Sequence, residues 1–244
     1  MNDITAPATA KRRRIYLMRH GSVTYFDGSG KPFLPESVPL NDTGSMQATA
    51  AGAVFAQLGL RFDRVITSGL PRTVETATRV LAETGQTIDI EVWPDLQEIR
   101  GGRLSTIADD TLRDAFVGAF DGMVTEDRQF LGGETIGTLL DRVLPAIATL
   151  RAQDDWQTVL LVLHGGVNRA IVSYALTGGR YFLGNLSQAP GCINALDVGT
   201  QPADWVVRMT NYAASDLLQP DERDTTMEVL YGQYMKFRSA LTRN

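Results

Sequence analysis

Apolar residues fall along this chain in two ways: short unbroken runs, and longer stretches with helical spacing. Ile15-Tyr16-Leu17-Met18 and Val159-Leu160-Leu161-Val162-Leu163 are unbroken, as strands buried on both faces of a sheet must be. Arg64–Thr67 and Ile88–Val92 read as further short strands, and Cys192–Val198 with Trp205–Met209 as a late hairpin. Asn41, Asp42 and Thr43 offer caps for a helix to about Gln57, with Gly59 as its stop. Pro71 suits the first position of a helix over Arg72–Ala82. Ile136, Leu139, Leu140, Val143, Leu144 and Ile147 recur at helical spacing within Thr135–Ala152, and helices are expected over Val167–Leu176 and Thr225–Leu241. Strands alternating with helices predict an α/β three-layer sandwich, a mostly parallel central sheet with helices on both faces.

Two stretches resist this reading. Gly21–Pro39 is rich in Gly, Pro and Ser and leaves the first strand as a long loop, which we read as a substrate-facing lip. Gly101–Gly133 shows only short helical pieces such as Asp109–Phe120. Residues 1–14 are expected to be a disordered lead-in, with Lys11–Arg14 a solvated charged flank, before a single domain over 15–244. Too few apolar residues follow the basic run for a secretory signal, and no run approaches a membrane span, so a cytoplasmic protein without a membrane partner is expected. A net charge of −5 argues against nucleic acid as a partner, and means that an anionic ligand must be met by local cations. The single cysteine, Cys192, rules out a disulfide framework within these 244 residues, and two distant histidines argue against a histidine-rich metal centre, which leaves carboxylate-bound Mg²⁺ open on composition alone.

Both histidines are followed by glycine and sit at the ends of the two unbroken runs: Arg19-His20-Gly21 and His164-Gly165-Gly166. Ligands of open α/β sheets bind at the carboxyl ends of strands, so the two imidazoles are candidates for one shared site. In order along the chain stand Arg19-His20-Gly21, Ser68 with Arg72-Thr73 and Glu75-Thr76, Leu96-Gln97-Glu98, and His164-Gly165, with Gly133-Glu134-Thr135 between the last two. This series resembles the histidine phosphatase superfamily, the phosphoglycerate-mutase-like enzymes, over about residues 15–200.

The resemblance implies that His20 is a nucleophile that becomes phosphohistidine, and that no cofactor or metal is needed. Chemistry sets its own demands beside that. His20 must be neutral to attack, and Arg19 beside it is expected to depress its pKa by like-charge repulsion. Arg19 and Arg72 present paired donors that match phosphoryl oxygens. His164 is the third clamp, expected to become imidazolium once substrate binds, and Gly165 lets backbone approach the ligand. Glu98 is the candidate general acid and base, ahead of Asp95. Glu75 is expected to pair with Arg72 at helical i, i+3 spacing. Asn168 and Arg169 are read as structural.

Departures from the family pattern bear on the reaction. Val23 stands where a hydroxyl is common, leaving Ser22 or Thr24 to supply one. Ile99-Arg100-Gly101-Gly102 replaces the Arg-His-Tyr-Gly that mutases carry after the glutamate, and their Phe-Thr-Gly-Trp segment is missing. Both departures favour hydrolysis of a small phosphorylated metabolite over phosphoryl return to a sugar acid, with a mutase or a non-catalytic phosphate-binding protein as alternatives. Ser22, Arg100 and Arg103 are candidate substrate-binding residues, and the terminal helix is a candidate surface for a homodimer.

Overall fold

The computed structural model describes residues 11–220 and 223–241. Six strands form one sheet in the order β3-β2-β5-β1-β7-β8: β1 (Arg13–Arg19), β2 (Arg64–Thr67), β3 (Ile90–Val92), β5 (Thr158–Leu163), β7 (Ile193–Val198) and β8 (Trp205–Tyr212). The first four of that order are parallel, and β7 and β8 add an antiparallel edge. A two-stranded sheet pairs β4 (Met123–Val124) with β6 (Phe182–Leu183).

Side chains alternate across a strand, so the unbroken apolar runs serve two cores at once. Ile15, Leu17, Val159, Leu161 and Leu163 face one layer, formed by α4 (Ile136–Ala152) and α5 (Gly165–Thr177). Met18, Leu160 and Val162 face the other, where Ala51 and Phe55 of α1 (Asp42–Gln57) meet Ala77, Val80 and Leu81 of α2 (Pro71–Thr84). The three-layer sandwich expected from the sequence is the fold. The helix starts follow local chemistry: Asn41 accepts the Gly44 N–H at 2.8 Å, Thr135 accepts that of Thr138 at 3.1 Å, and Pro71 opens α2.

Several details differ from the sequence reading. β1 begins at Arg13, and the basic run is built into the fold instead of forming a loose flank. Arg12 pairs with Asp204 at 2.6 Å, and Arg14 and Arg208 share Asp197. Arg13 donates to the carbonyls of Arg151 and Gln153 while lying 4.1 Å over the Trp156 ring. The expected disorder of 1–10 lies outside the described residues. The 101–133 stretch holds α3 (Asp109–Val117), whose Leu112 and Phe116 are covered by Tyr234 of α6 (Thr226–Leu241). The terminal helix thus turns apolar surface onto its own chain. No helix among the described residues is long and apolar enough to cross a membrane.

Candidate active site

Register brings the two histidines together. In the parallel β1–β5 pair Arg19 lies opposite Leu163, so both strands end at one level, and the His20 N–H donates to the Leu163 carbonyl at 3.0 Å. The rings that follow are buried, 5.2 Å apart between centroids. His20 Nδ1 lies 2.7 Å from the Gly21 carbonyl, which can only accept, so the proton is on Nδ1 and the lone pair on Nε2. Nε2 accepts from Arg72 Nε at 3.2 Å. Burial holds the His20 pKa well below its usual value, Arg72 lowers it further, and Arg19, named first from the sequence, contributes less than either.

β2 ends one residue before Ser68, beside β5, and this places Ser68 Oγ 2.7 Å from His164 Nε2. Thr73 gives its hydroxyl proton to the Leu70 carbonyl at 2.8 Å, so Ser68 donates to Thr73 and His164 Nε2–H donates to Ser68. His164 Nδ1 is buried without a partner. Burial first, then His20, Arg72, Arg19 and Arg142, holds this ring neutral. An arriving dianion reverses that balance at Nδ1.

Arg72 and Arg19 flank the rings, and Arg169 lines a cavity beside them. Arg72 is 2% exposed, held by His20 and by a 2.6 Å bond from Nη1 to the Pro35 carbonyl, which latches the 21–39 loop onto the site. Arg19 Nη1 donates to the Gln188 carbonyl and, at 3.1 Å, to Thr226 Oγ1, while its Nε is buried and unpartnered. Arg169, which the sequence did not single out for binding, donates to the carbonyls of Gly184 at 2.8 Å and Gly165 at 3.1 Å and lies 5.0 Å over the Phe120 ring. Burial pulls its pKa down to about 10. An orphaned guanidinium donor on Arg19 beside an unpartnered imidazole nitrogen on His164 is what an anion site looks like before the anion arrives.

Glu98 lies across the N-terminus of α5, accepting the Gly166 N–H at 3.1 Å and its neighbour Ile99's at 3.0 Å. A Cβ on Gly166 would fall 2.6 Å from Glu98 Oε1 and push that carboxylate from its place. The loop bearing Glu98 is fixed by Arg142, which donates to the carbonyls of Asp95 (2.7 Å), Gln97 (2.5 Å) and Glu98 (3.1 Å). Arg142 also grips Glu134 through two bonds of 2.8 and 3.0 Å, and Glu134 accepts the Arg100 N–H. Gly133 completes the staple, because a Cβ would fall 2.4 Å from the Arg100 carbonyl. The Gly133-Glu134 motif was visible in the sequence, but its partner Arg142 was not.

A cavity of about 1030 Å³ opens beside His20 and Arg19; Ser22 and residues 23–30 line it, as expected of a lip, together with Arg169 and one side of α6. Arg100 and Arg103 are exposed and are not among the residues that line it; the backbone of their loop is tied to Glu134 and Leu131. Asp95 is also exposed and enters the site's scaffold only through its carbonyl. Glu75 does not pair with Arg72; it accepts the Leu40 N–H at 3.0 Å, because Arg72 turns inward to His20.

Residues 15–212 match the family model of the histidine phosphatase superfamily, branch 1. The chain belongs to this superfamily. It is 30% identical over 201 residues to a probable phosphoglycerate mutase, GpmB, of Enterobacter sp. (strain 638), covering 80% of this chain and 91% of that one. Its fold resembles a mycobacterial glucosyl-3-phosphoglycerate phosphatase solved with VO3 (TM-score 0.64, 22% identity, 82% and 99% coverage). It also resembles the α-ribazole phosphatase of Shigella flexneri (TM-score 0.62, 22% identity, 81% and 96% coverage). As a histidine phosphatase superfamily enzyme, the chain is a phosphatase or a mutase. The superfamily match stops at Tyr212, before α6, although α6 walls the cavity.

Proposed function

We propose that this enzyme is a phosphatase that hydrolyses a small phosphomonoester through a phosphohistidine on His20, with no metal in the reaction. The observation that carries this reading is the Nδ1–H bond from His20 to Gly21, which leaves the Nε2 lone pair facing Arg72. On binding, a phosphoryl oxygen takes over the Arg72 Nε–H, freeing Nε2 to attack phosphorus. Arg19 Nε donates to a second oxygen, and His164, which takes a proton from solvent at Nδ1 as the dianion binds, donates to the third. As the N–P bond forms and the P–O bond breaks, Glu98 gives its proton to the leaving alcohol oxygen. Water then attacks the phosphohistidine, Glu98 takes its proton, and the N–P bond returns its electrons to Nε2. Charge on the transferring oxygens is met by guanidinium and imidazolium groups, the electrostatic term that dominates phosphoryl transfer.

The relatives named phosphoglycerate mutases favour a second reading, phosphoryl return to a sugar acid. Incubation with 3-phosphoglycerate separates the two, since a phosphatase releases phosphate where a mutase yields the 2-isomer. The reading itself is tested with ³²P-labelled substrate: wild type is expected to carry an acid-labile label and to turn over p-nitrophenyl phosphate in EDTA. His20→Ala is expected to lose both label and turnover. A label that survives this substitution assigns the nucleophile elsewhere.

A further inference from the structure

The cavity beside His20 is far larger than the reacting phosphoryl group needs. At about 1030 Å³ it sits at the top of the roughly 300–1,000 Å³ that holds drug-sized ligands. Its far wall is α6, beyond the last residue of the superfamily match. The helix is tied to the chemistry, because Thr226 in its first turn accepts from Arg19 at 3.1 Å. It is also tied to the lip: a Cβ on Gly30 would fall 3.1 Å from Phe237 Cβ. Cavity-facing groups include the aromatic Phe120 and Phe237, the amides of Asn185 and Gln233, and opposed charges in Lys236 and Asp121. Amides both donate and accept, as hydroxyl groups do, and aromatic rings offer apolar faces to a sugar's C–H surface.

Resting on the phosphatase reading above, we propose that α6 is a specificity wall, and that the space between it and the lip receives a glycoside-sized, hydroxyl-rich alcohol as the leaving part of the phosphomonoester. The phosphoryl group sits at the histidines and the alcohol extends toward Val229 and Gln233. Binding energy from that remote part is available to position the reacting centre, so a truncated alcohol loses catalytic efficiency as well as affinity.

The experiment compares kcat/KM for trehalose 6-phosphate, glycerol 3-phosphate, AMP and p-nitrophenyl phosphate, in wild type, Val229→Trp and Gln233→Ala. The disaccharide ester is expected to exceed glycerol 3-phosphate by about tenfold or more, and AMP by a clear margin. Val229→Trp fills the space, so the ratio of trehalose 6-phosphate to p-nitrophenyl phosphate is expected to fall roughly tenfold, the scale of a steric misfit in a pocket. Gln233→Ala removes hydrogen bonds without adding bulk and is expected to lower the same ratio, so the test stands even if the tryptophan variant does not fold. Equal efficiency on the large and small esters, or ratios unmoved by either folded variant, overturns the proposal. Preference for AMP overturns the hydroxyl-rich assignment. Absence of p-nitrophenyl phosphate turnover in wild type is a different result and sinks the phosphatase reading instead.

Discussion

Replacing Arg142 with methionine separates the stability of the Glu98 loop from the chemistry it carries. Arg142 and Glu134 expose only 14% and 6% of their side chains and are joined by two short bonds. Removing one partner of such a pair costs about 3–5 kcal/mol, because the survivor is left charged and dry. Water can reach the exposed Asp95 end of the cluster, so we expect about 3 kcal/mol. With an m-value of about 2–3 kcal/mol/M, the urea midpoint falls by about 1 M or slightly more. The effect has a pH signature. Burial pushes the Glu134 pKa up, but its bonds to Arg142 and Arg100 outweigh this and hold it below the usual carboxylate range. A depressed folded pKa gives stability that is present above the unfolded value and lost as pH falls through the folded one. In Arg142→Met the Arg142 share of the depression is removed while that of Arg100 stays, so the deficit is full at pH 7 and shrinks near pH 4 as Glu134 of the variant takes up a proton. Kinetically, the freed loop misplaces Glu98, and turnover falls further for an alkyl phosphate than for p-nitrophenyl phosphate, whose leaving group needs no acid. The reasoning is refuted if the midpoint shift is the same at pH 4 and pH 7, or if both substrates slow equally.

The depressed pKa of His20 keeps Nε2 unprotonated well into acid, so the acid limb of kcat/KM is expected clearly below pH 6.5; a limb at or above that value contradicts the buried environment. Glu98→Gln is expected to slow alkyl phosphate hydrolysis by about 10²–10⁴-fold and p-nitrophenyl phosphate far less in the first half-reaction, read by burst kinetics against leaving-group pKa. Ser68→Ala removes the acceptor for His164 Nε2–H, a bond to a group that becomes charged, and is expected to lower kcat/KM roughly 10–100-fold, with recovery in Ser68→Thr. A Ser68→Ala enzyme with unchanged kcat/KM would show that His164 needs no such support.

The sandwich was legible because its strands are short and doubly buried: one alternating run, Val159 to Leu163, feeds two cores, and no other element type does that in so few residues. The histidine pair was legible because it follows from the ends of two such strands. What stayed hidden depended on register and distance. Arg13 looks like part of a charged tail, yet it lies on Trp156 and on two carbonyls some 140 residues away. Arg100 and Arg103 stand exposed in a loop tied to Glu134 and Leu131, and a cation's sequence neighbourhood says nothing of such ties. Arg142 lies 44 residues beyond Glu98 on a helix whose apolar period masks its role, and only its bonds to the carbonyls of Asp95, Gln97 and Glu98 reveal it. Arg169 sits mid-helix, where its sequence setting suggests a structural role; two backbone carbonyls do hold it, yet it also lines the cavity.

The charges of the site explain why these supports lie outside the motifs. Arg19 and Arg72 converge on two buried rings, and Arg169 stands beside Arg19 with the Glu98 charge acting on it. Unbalanced cations repel, and a chain would spread them apart if nothing held them. The holding is done by neutral acceptors: the carbonyls of Pro35, Gln188, Gly165 and Gly184 take guanidinium protons without cancelling charge. A carboxylate in any of those places would bind more tightly and would compete with the phosphoryl group for the same donors. Backbone acceptors fix the fork and leave its charge for the substrate, so the site is organised before the anion arrives and gains most when charge builds on the transferring oxygens.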